Sequence, residues 1–340
     1  MKRRWIALVI VATLAVGLIP AQAAAHGGGE EGPKPVYISL GDSLAAGSLA
    51  DADGNTTDAS KKSYTNKVYR WMRWHVDRDL RHNKLGCREE TVATFRSGDG
   101  PYCQDRPASQ YDMAMAVLTD PGKDVKLVTI NLGANDLFRH QDACYAMAAA
   151  GQILPEEVPG CILGGLEDIA VDVATVVAEL RAAAGPDVPF VAMNYYNPQV
   201  AALAGYVSGV PGPVSDDPLS DPDMLQLAGF STAVLYLFGE ALEQALGTVG
   251  VPVVDVFSAF HAGDVTAAYL PPLPPEMLPQ VDPALVDNWP RNGRDDAADF
   301  ACRLTSMCPE QEGKIANIHP TPIGYWVIAR TFIREALRDL

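Results

Sequence analysis

A serine hydroxyl becomes a useful nucleophile only where a base can take its proton and fixed donors can hold the negative charge that follows. Three stretches of this 340-residue chain could supply those parts: Gly41-Asp42-Ser43-Leu44, Asn131-Leu132-Gly133-Ala134-Asn135-Asp136 and Asn317-Ile318-His319-Pro320. Ser43 stands after a glycine that permits a sharp turn and before Leu44-Ala45-Ala46, which can open a helix whose free N–H groups face it. Asn135 carries an amide donor, the group an oxyanion site requires. His319 is the residue whose neutral ring can accept a serine proton near physiological pH. Taken singly, each has a plainer reading: a capping serine, an Asn-Asp turn and a surface histidine. His261 is the one serious competitor among the other histidines for the part of base.

These residues need elements to bring them together. Val36 to Leu40 is a short, β-branched apolar run ending at Gly41, as a buried parallel strand ends. Further continuous strands are expected over Val125–Ile130, Val188–Met193 and Val251–Val256, each followed by a polar loop. Helical spacing runs from Tyr64 to His82 and through Leu166, Ile169, Val173, Val176 and Leu180, and the stretch Ala201 to Gly247 ends in another long helix. Thr321-Pro322 opens the last helix with a cap and a proline at the first helical position. Strands alternating with helices imply a parallel sheet covered on both sides, with ligands gathering at the carboxyl ends of the strands. Ser43 and Asn135 fall there.

The chain begins with Lys2-Arg3-Arg4, an apolar run from Trp5 to Pro20 and Ala21-Gln22-Ala23-Ala24-Ala25, the layout of a cleavable secretory leader over residues 1–25. The apolar run is shorter than the roughly 20 residues a spanning helix needs, so no stable membrane anchor is expected. Residues 26–34, with His26-Gly27-Gly28-Gly29, read as a flexible spacer, and 35–340 as one domain with long insertions around 199–225 and 262–299. The formal charge of −16 becomes −19 without the three leader cations, which argues against nucleic acid or an anionic lipid surface as an electrostatically chosen partner. A secreted monomer is expected.

Six cysteines in an exported chain read as disulfides, for which fifteen pairings are formally possible. Sequential pairing, Cys87/Cys103, Cys144/Cys161 and Cys302/Cys308, closes the shortest loops and is the expected pattern. No cysteine or histidine spacing matches a zinc site, so no metal and no organic cofactor is expected. Asp51-Ala52-Asp53-Gly54-Asn55 carries calcium-like oxygens, but its glycine comes too early for an EF-hand loop, and a solvated turn is the reading.

The three stretches, in this order, resemble the blocks of the SGNH hydrolases, also called GDSL esterases and lipases, over nearly the whole chain beyond the leader. The resemblance implies a three-layer α/β/α sandwich with a central parallel, flavodoxin-like sheet. It implies Ser43 as nucleophile, His319 as base, and an oxyanion hole made by the Ser43 N–H, the Asn135 amide and a backbone N–H from a further block. That block is similar to Leu85-Gly86-Cys87-Arg88-Glu89-Glu90-Thr91, where Glu89 stands in place of the family's glycine. A non-glycine residue there implies a strained backbone and a carboxylate near a developing negative charge. The family's aspartate, three residues before the histidine, is replaced by Ala316. The expectation is therefore a Ser43–His319 dyad whose ring is held by a main-chain carbonyl, as in secreted three-disulfide members. The Cys302/Cys308 loop is similar to the cysteine loop of those members, and Tyr195-Tyr196-Asn197-Pro198 to a loop beside their acyl pocket. The resemblance thus implies a carboxylic ester hydrolase, an esterase or lipase that forms an acyl-enzyme on Ser43 and takes a small-molecule or lipid ester as substrate, with a carbohydrate deacetylase of the same fold and a binding protein that kept the fold without turnover as the alternatives.

Overall fold

In the computed structural model the described residues are 32–57, 61–263, 294–309 and 313–338. The expected leader, residues 26–31 of the expected spacer and most of the second expected insertion lie outside them. Strand β1, Lys34–Gly41, has its last six residues buried, as a strand covered on both faces must. Helix α1 (Ser43–Ala46) follows at once. A small hairpin of β2 (Leu49–Ala50) and β3 (Thr56–Thr57) leads to α2 (Tyr64–His75), β4 (Arg81–Lys84), α3 (Val92–Ser97) and α4 (Gln110–Leu118). Strand β5 (Lys123–Asn131) is followed by α5 (Ala134–Ala149), α6 (Val158–Gly164) and α7 (Leu166–Ala184). After β6 (Phe190–Met193) come a 3-10 segment over Pro198–Ala204, the long α8 (Pro222–Thr248), β7 (Val253–Val254) and α9 (Val256–Ala259). The described chain closes with α10 (Arg294–Leu304), β8 (Thr305–Ser306), β9 (Asn317–Pro320) and α11 (Pro322–Glu335).

Five strands make one parallel sheet in the order β4-β1-β5-β6-β7. The chain steps from β1 to one side and then returns to the other, so the order reverses between β1 and β5, the flavodoxin-like arrangement. Helices flank the sheet. On one side α2 packs on α11, with the rings of Tyr64 and Phe332 stacked 5.1 Å apart. On the other α7 packs on α4 and α8. Helix α8 is long and apolar enough to cross a membrane, but Phe238, Leu242 and Leu246 are buried against the core, as in a soluble α/β layer.

Two elements differ from the sequence expectation. The helix expected over Tyr64 to His82 ends at His75, because Asp77 accepts from the Asp79 N–H at 2.8 Å and turns the chain. Arg81–Lys84 then pairs with β1 as an edge strand. Its polar sequence hides it, since an edge strand needs no continuous apolar run. His82 closes this edge: its ring stacks on Tyr37 at 4.6 Å and its Nε2 lies 2.8 Å from the Ser39 hydroxyl. The expected insertions also contain regular structure, with all but the first residue of the 3-10 segment inside 199–225 and α10 beginning at Arg294 inside 262–299. The third expected strand loses its first two residues, Val188 and Pro189, and starts at Phe190, and the fourth strand is confined to Val253–Val254.

Candidate active site

The crevice lies beyond the carboxyl ends of β1 and β5, where the strand order reverses and two diverging loops leave room for a ligand. Gly41 pairs with Asn131 across these strands, and its φ of 123° brings the chain so close that a Cβ there would lie 1.9 Å from the Asn131 carbonyl oxygen. No other residue fits. Asp42 caps α1 by accepting from the Leu44 N–H at 2.8 Å, which leaves Ser43 as the first helical residue, half-buried, with its own N–H outside the helix ladder.

Asp42 is itself buried. Asn131 Nδ2 donates to its carboxylate at 2.5 Å, the Tyr195 hydroxyl donates at 3.0 Å, and Tyr64 donates to Asn131 Oδ1 at 2.9 Å. Burial nonetheless pushes its pKa up to about 7, against the lowering effect of those donors. The Gln110 side chain closes the other side of this turn, accepting from the Gly41 N–H at 3.0 Å and donating to the Gly41 carbonyl at 2.8 Å. Gln110 and Tyr64 carry no motif, and Asn131 and Tyr195 lie in stretches that the sequence marks without revealing this contact to Asp42; only the tertiary structure identifies the set.

Asn135 sits in the first turn of α5 and donates from Nδ2 to the Glu90 carbonyl at 2.9 Å, joining its own stretch to that of Leu85–Thr91. Among the described residues that group makes this one bond, so its second proton is available to a substrate oxygen. Asp136, beside it, accepts from the Val92 N–H with both oxygens at 3.1 Å and so holds α3 to the same rim. Burial raises the Asp136 pKa to about 6. Glu89 adopts φ 57°, the left-handed region expected of a position that glycine fills, while its side chain is exposed.

His319 lies in β9, which pairs with β8 beside the Cys302–Cys308 disulfide. All three disulfides follow the sequential pattern, Cys87–Cys103 and Cys144–Cys161 being the others. The Thr321 N–H donates to the Leu304 carbonyl at 2.8 Å, and the Thr321 hydroxyl caps α11 at Gly324, so the C-terminal end of the histidine segment is fixed. The ring is not held by a main-chain carbonyl. Its Nδ1 lies 2.8 Å from the side-chain Oδ1 of Asn317, and the Thr56 hydroxyl is farther, at 3.5 Å. A main-chain acceptor is replaced because β9 runs extended and its carbonyls are turned away from its own side chains. The Ala316 peptide is likewise engaged elsewhere, with Gly209 and Val210. Burial and the Arg88 guanidinium lower the His319 pKa to about 4, so the ring is neutral at pH 7.

Ser43, Asn135 and His319 all line each of two adjoining cavities. One, about 610 Å³, is polar, with Thr56, Arg88, Glu89, Tyr102, Arg139 and Asp142 on its walls. The other, about 370 Å³, is largely apolar, with Phe138, Tyr195, Tyr196, Leu227, Phe230 and Val234. The Tyr195-Tyr196 loop therefore stands beside the apolar cavity, and much of the remaining wall comes from α8 rather than from an irregular loop. His261 lines neither cavity; its ring stacks on Phe300 at 3.8 Å. Asp51 to Asn55 forms a tight turn in which Asp51 Oδ1 accepts from the Asp53 and Asn55 N–H groups, both at 2.9 Å. One described cluster has metal-ligand types within 4.8 Å of one another, His140, Cys144 and Cys161, and its two sulfurs are joined to each other.

A parallel sheet of this order, with a serine block after the first strand and a histidine block before the last helix, defines an SGNH-type α/β hydrolase. The chain belongs to the GDSL-like Lipase/Acylhydrolase family, whose model matches residues 39–327. No curated protein matches significantly. Among solved structures the chain is similar to an alpha/beta hydrolase from the metagenome of Lake Arreo, at 15% identity and TM-score 0.43, over 89% of this chain and 95% of that one. It is also similar to an extracellular lipase from Streptomyces rimosus, at 17% identity and TM-score 0.41, over 67% and 82% of the two chains. An acetylxylan esterase from Geobacillus stearothermophilus matches at 15% identity and TM-score 0.41, over 89% and 94%.

Proposed function

We propose that this chain is a secreted carboxylic ester hydrolase that works through an acyl-enzyme on Ser43. His319 Nε2 takes the Ser43 proton as the oxygen attacks the ester carbonyl, and the resulting oxyanion is held by the Ser43 N–H, the Glu89 N–H and the Asn135 amide. The ring then gives that proton to the departing alcohol. Water repeats the sequence in reverse roles and frees the acid. The observation that carries this reading is the meeting of two unlike cavities at Ser43, Asn135 and His319. The apolar one suits an acyl chain of several carbons, and the polar one suits the alcohol. Secretion rests on the three disulfides, which persist in an oxidising compartment.

Turnover of p-nitrophenyl esters from acetate to palmitate, by the parent and by Ser43→Ala, tests it. The parent should prefer medium or long acyl chains and Ser43→Ala should be nearly inert. Equal turnover in both would remove the nucleophile. The larger polar cavity favours a second reading, deacetylation of a carbohydrate, which requires acetate esters to outrun all longer ones. A folded parent that turns over no ester at any chain length would leave a binding protein.

A further inference from the structure

The side-chain amide of Asn317 occupies the place where a triad needs its third member. Its Oδ1 lies 2.8 Å from His319 Nδ1 and also accepts from the His319 main-chain N–H at 2.9 Å. Its Nδ2 donates in the opposite direction, to the Gly54 carbonyl at 2.9 Å and to the Thr56 hydroxyl at 3.0 Å. An amide could be turned end for end, but here only one orientation works. Reversed, its NH₂ would face the His319 N–H, donor against donor, and its oxygen would face the Gly54 carbonyl.

That fixed oxygen in turn fixes the ring. Oδ1 is an acceptor only, so Nδ1 must carry the proton and Nε2 must present its lone pair. Asn317 is 8% exposed and His319 7%, so water cannot readily substitute for either. The orientation depends on the turn from Asp51 to Asn55, whose Gly54 has φ 89° and lies so near the histidine segment that a Cβ would come within 2.2 Å of the Ile315 carbonyl oxygen. The turn with calcium-like oxygens thus serves as the support of the Asn317 amide.

Resting on the Ser43–His319 reading, we propose that Asn317 is the positioning residue of this site: its neutral amide, locked by Gly54 and Thr56, selects the His319 tautomer that can accept the Ser43 proton. An amide does this work without a countercharge. The charged groups near the ring are Arg88, whose guanidinium donates to the Thr56 carbonyl at 3.0 Å, and Glu89, Arg139 and Asp142 on the polar cavity wall. None of these replaces an anion hydrogen-bonded to Nδ1.

The test uses the full mature chain with Asn317→Ala, Asn317→Asp and Ser43→Ala. Asn317→Ala should lower kcat by about 10²-fold with KM changed little, since tautomer and ring placement matter to proton transfer rather than to binding. Asn317→Asp retains an acceptor toward Nδ1 and should recover most of kcat, while moving the acidic limb of kcat/KM up by about one pH unit or more, because it sets a carboxylate against the ring. Nitrogen NMR of the parent should find His319 protonated at Nδ1 at neutral pH. Parental kcat in Asn317→Ala, an acidic limb unmoved in Asn317→Asp, or a ring protonated at Nε2 would each overturn the proposal. If Asn317→Ala unfolds, the Asn317→Asp profile and the parent's tautomer still decide it. Full activity in Ser43→Ala would instead defeat the underlying reading, so the two failures are distinguishable.

Discussion

The Tyr196 hydroxyl donates to the Ile318 carbonyl at 2.7 Å, so the loop that lines the apolar cavity is tied to the residue immediately before His319. Tyr196 is in turn held by Phe260, whose ring stacks on it at 4.4 Å. One phenol therefore joins the wall of the apolar cavity to the segment that carries His319.

Tyr196→Phe keeps the stack and removes that bond. It should reduce stability by about 1 kcal/mol, because a part-buried carbonyl loses its donor, and lower kcat several-fold as the histidine segment loosens. Denaturant midpoints and steady-state kinetics on the same samples check both. A stability loss with unchanged kcat would mean that the bond holds the fold and not the base.

Glu89→Gly removes a side chain from a backbone at φ 57° and a carboxylate from the cavity wall. Kcat should rise, by about fivefold if roughly 1 kcal/mol of repulsion on the oxyanion is relieved. Ester turnover by the pair of proteins measures it. A fall would show that the Glu89 side chain contributes to the reaction.

The pH profile should carry the low pKa of His319. The limb of kcat/KM that reports the free enzyme should lie near pH 4 instead of in the ordinary histidine range around 6.5. The linked stability has a definite sign. Between about 4 and 6.5 the unfolded ring binds a proton that the folded one refuses, so this contribution is present above 6.5 and is lost as pH falls through 4. His82, lowered to about 3 mainly by burial, acts in the same sense. Asp42, raised to about 7, acts oppositely, its contribution being present below 3.8 and lost as pH rises through 7. A kinetic limb at 6 or above would contradict the buried, neutral ring.

Leu227→Trp should narrow the apolar cavity from its α8 wall. Activity on acetate should change little, while long acyl chains lose about 0.8 kcal/mol, or roughly fourfold in kcat/KM, for each methylene no longer buried. An ester series resolves this. An equal loss at every chain length would place the acyl group elsewhere.

The serine, asparagine and histidine segments were legible because each stands next to a feature with a strong local signature: Ser43 after a buried β-branched strand, His319 before a Thr-Pro helix start. The parallel sheet was legible for the same reason, except for Arg81–Lys84, whose edge position frees it from the apolar pattern that marks the other strands. Sequential disulfides followed from loop length. The amide that faces His319 could not be read in this way. Whether position 317 offers a side-chain oxygen or a main-chain one depends on what orients the amide, and that is Gly54, brought to it from the far end of the chain.

The sequence by itself determined which residues can do chemistry, because nucleophile, donor and base are properties of side chains, and it determined the alternation of strands and helices, because burial periodicity is local. Tertiary structure decided how those side chains are held: the Asp42–Asn131–Tyr195 bonds, the Asn317 amide against Gly54, and an apolar cavity walled by α8. These depend on contacts between residues far apart in the chain, and such contacts leave no periodic trace in the order of its residues.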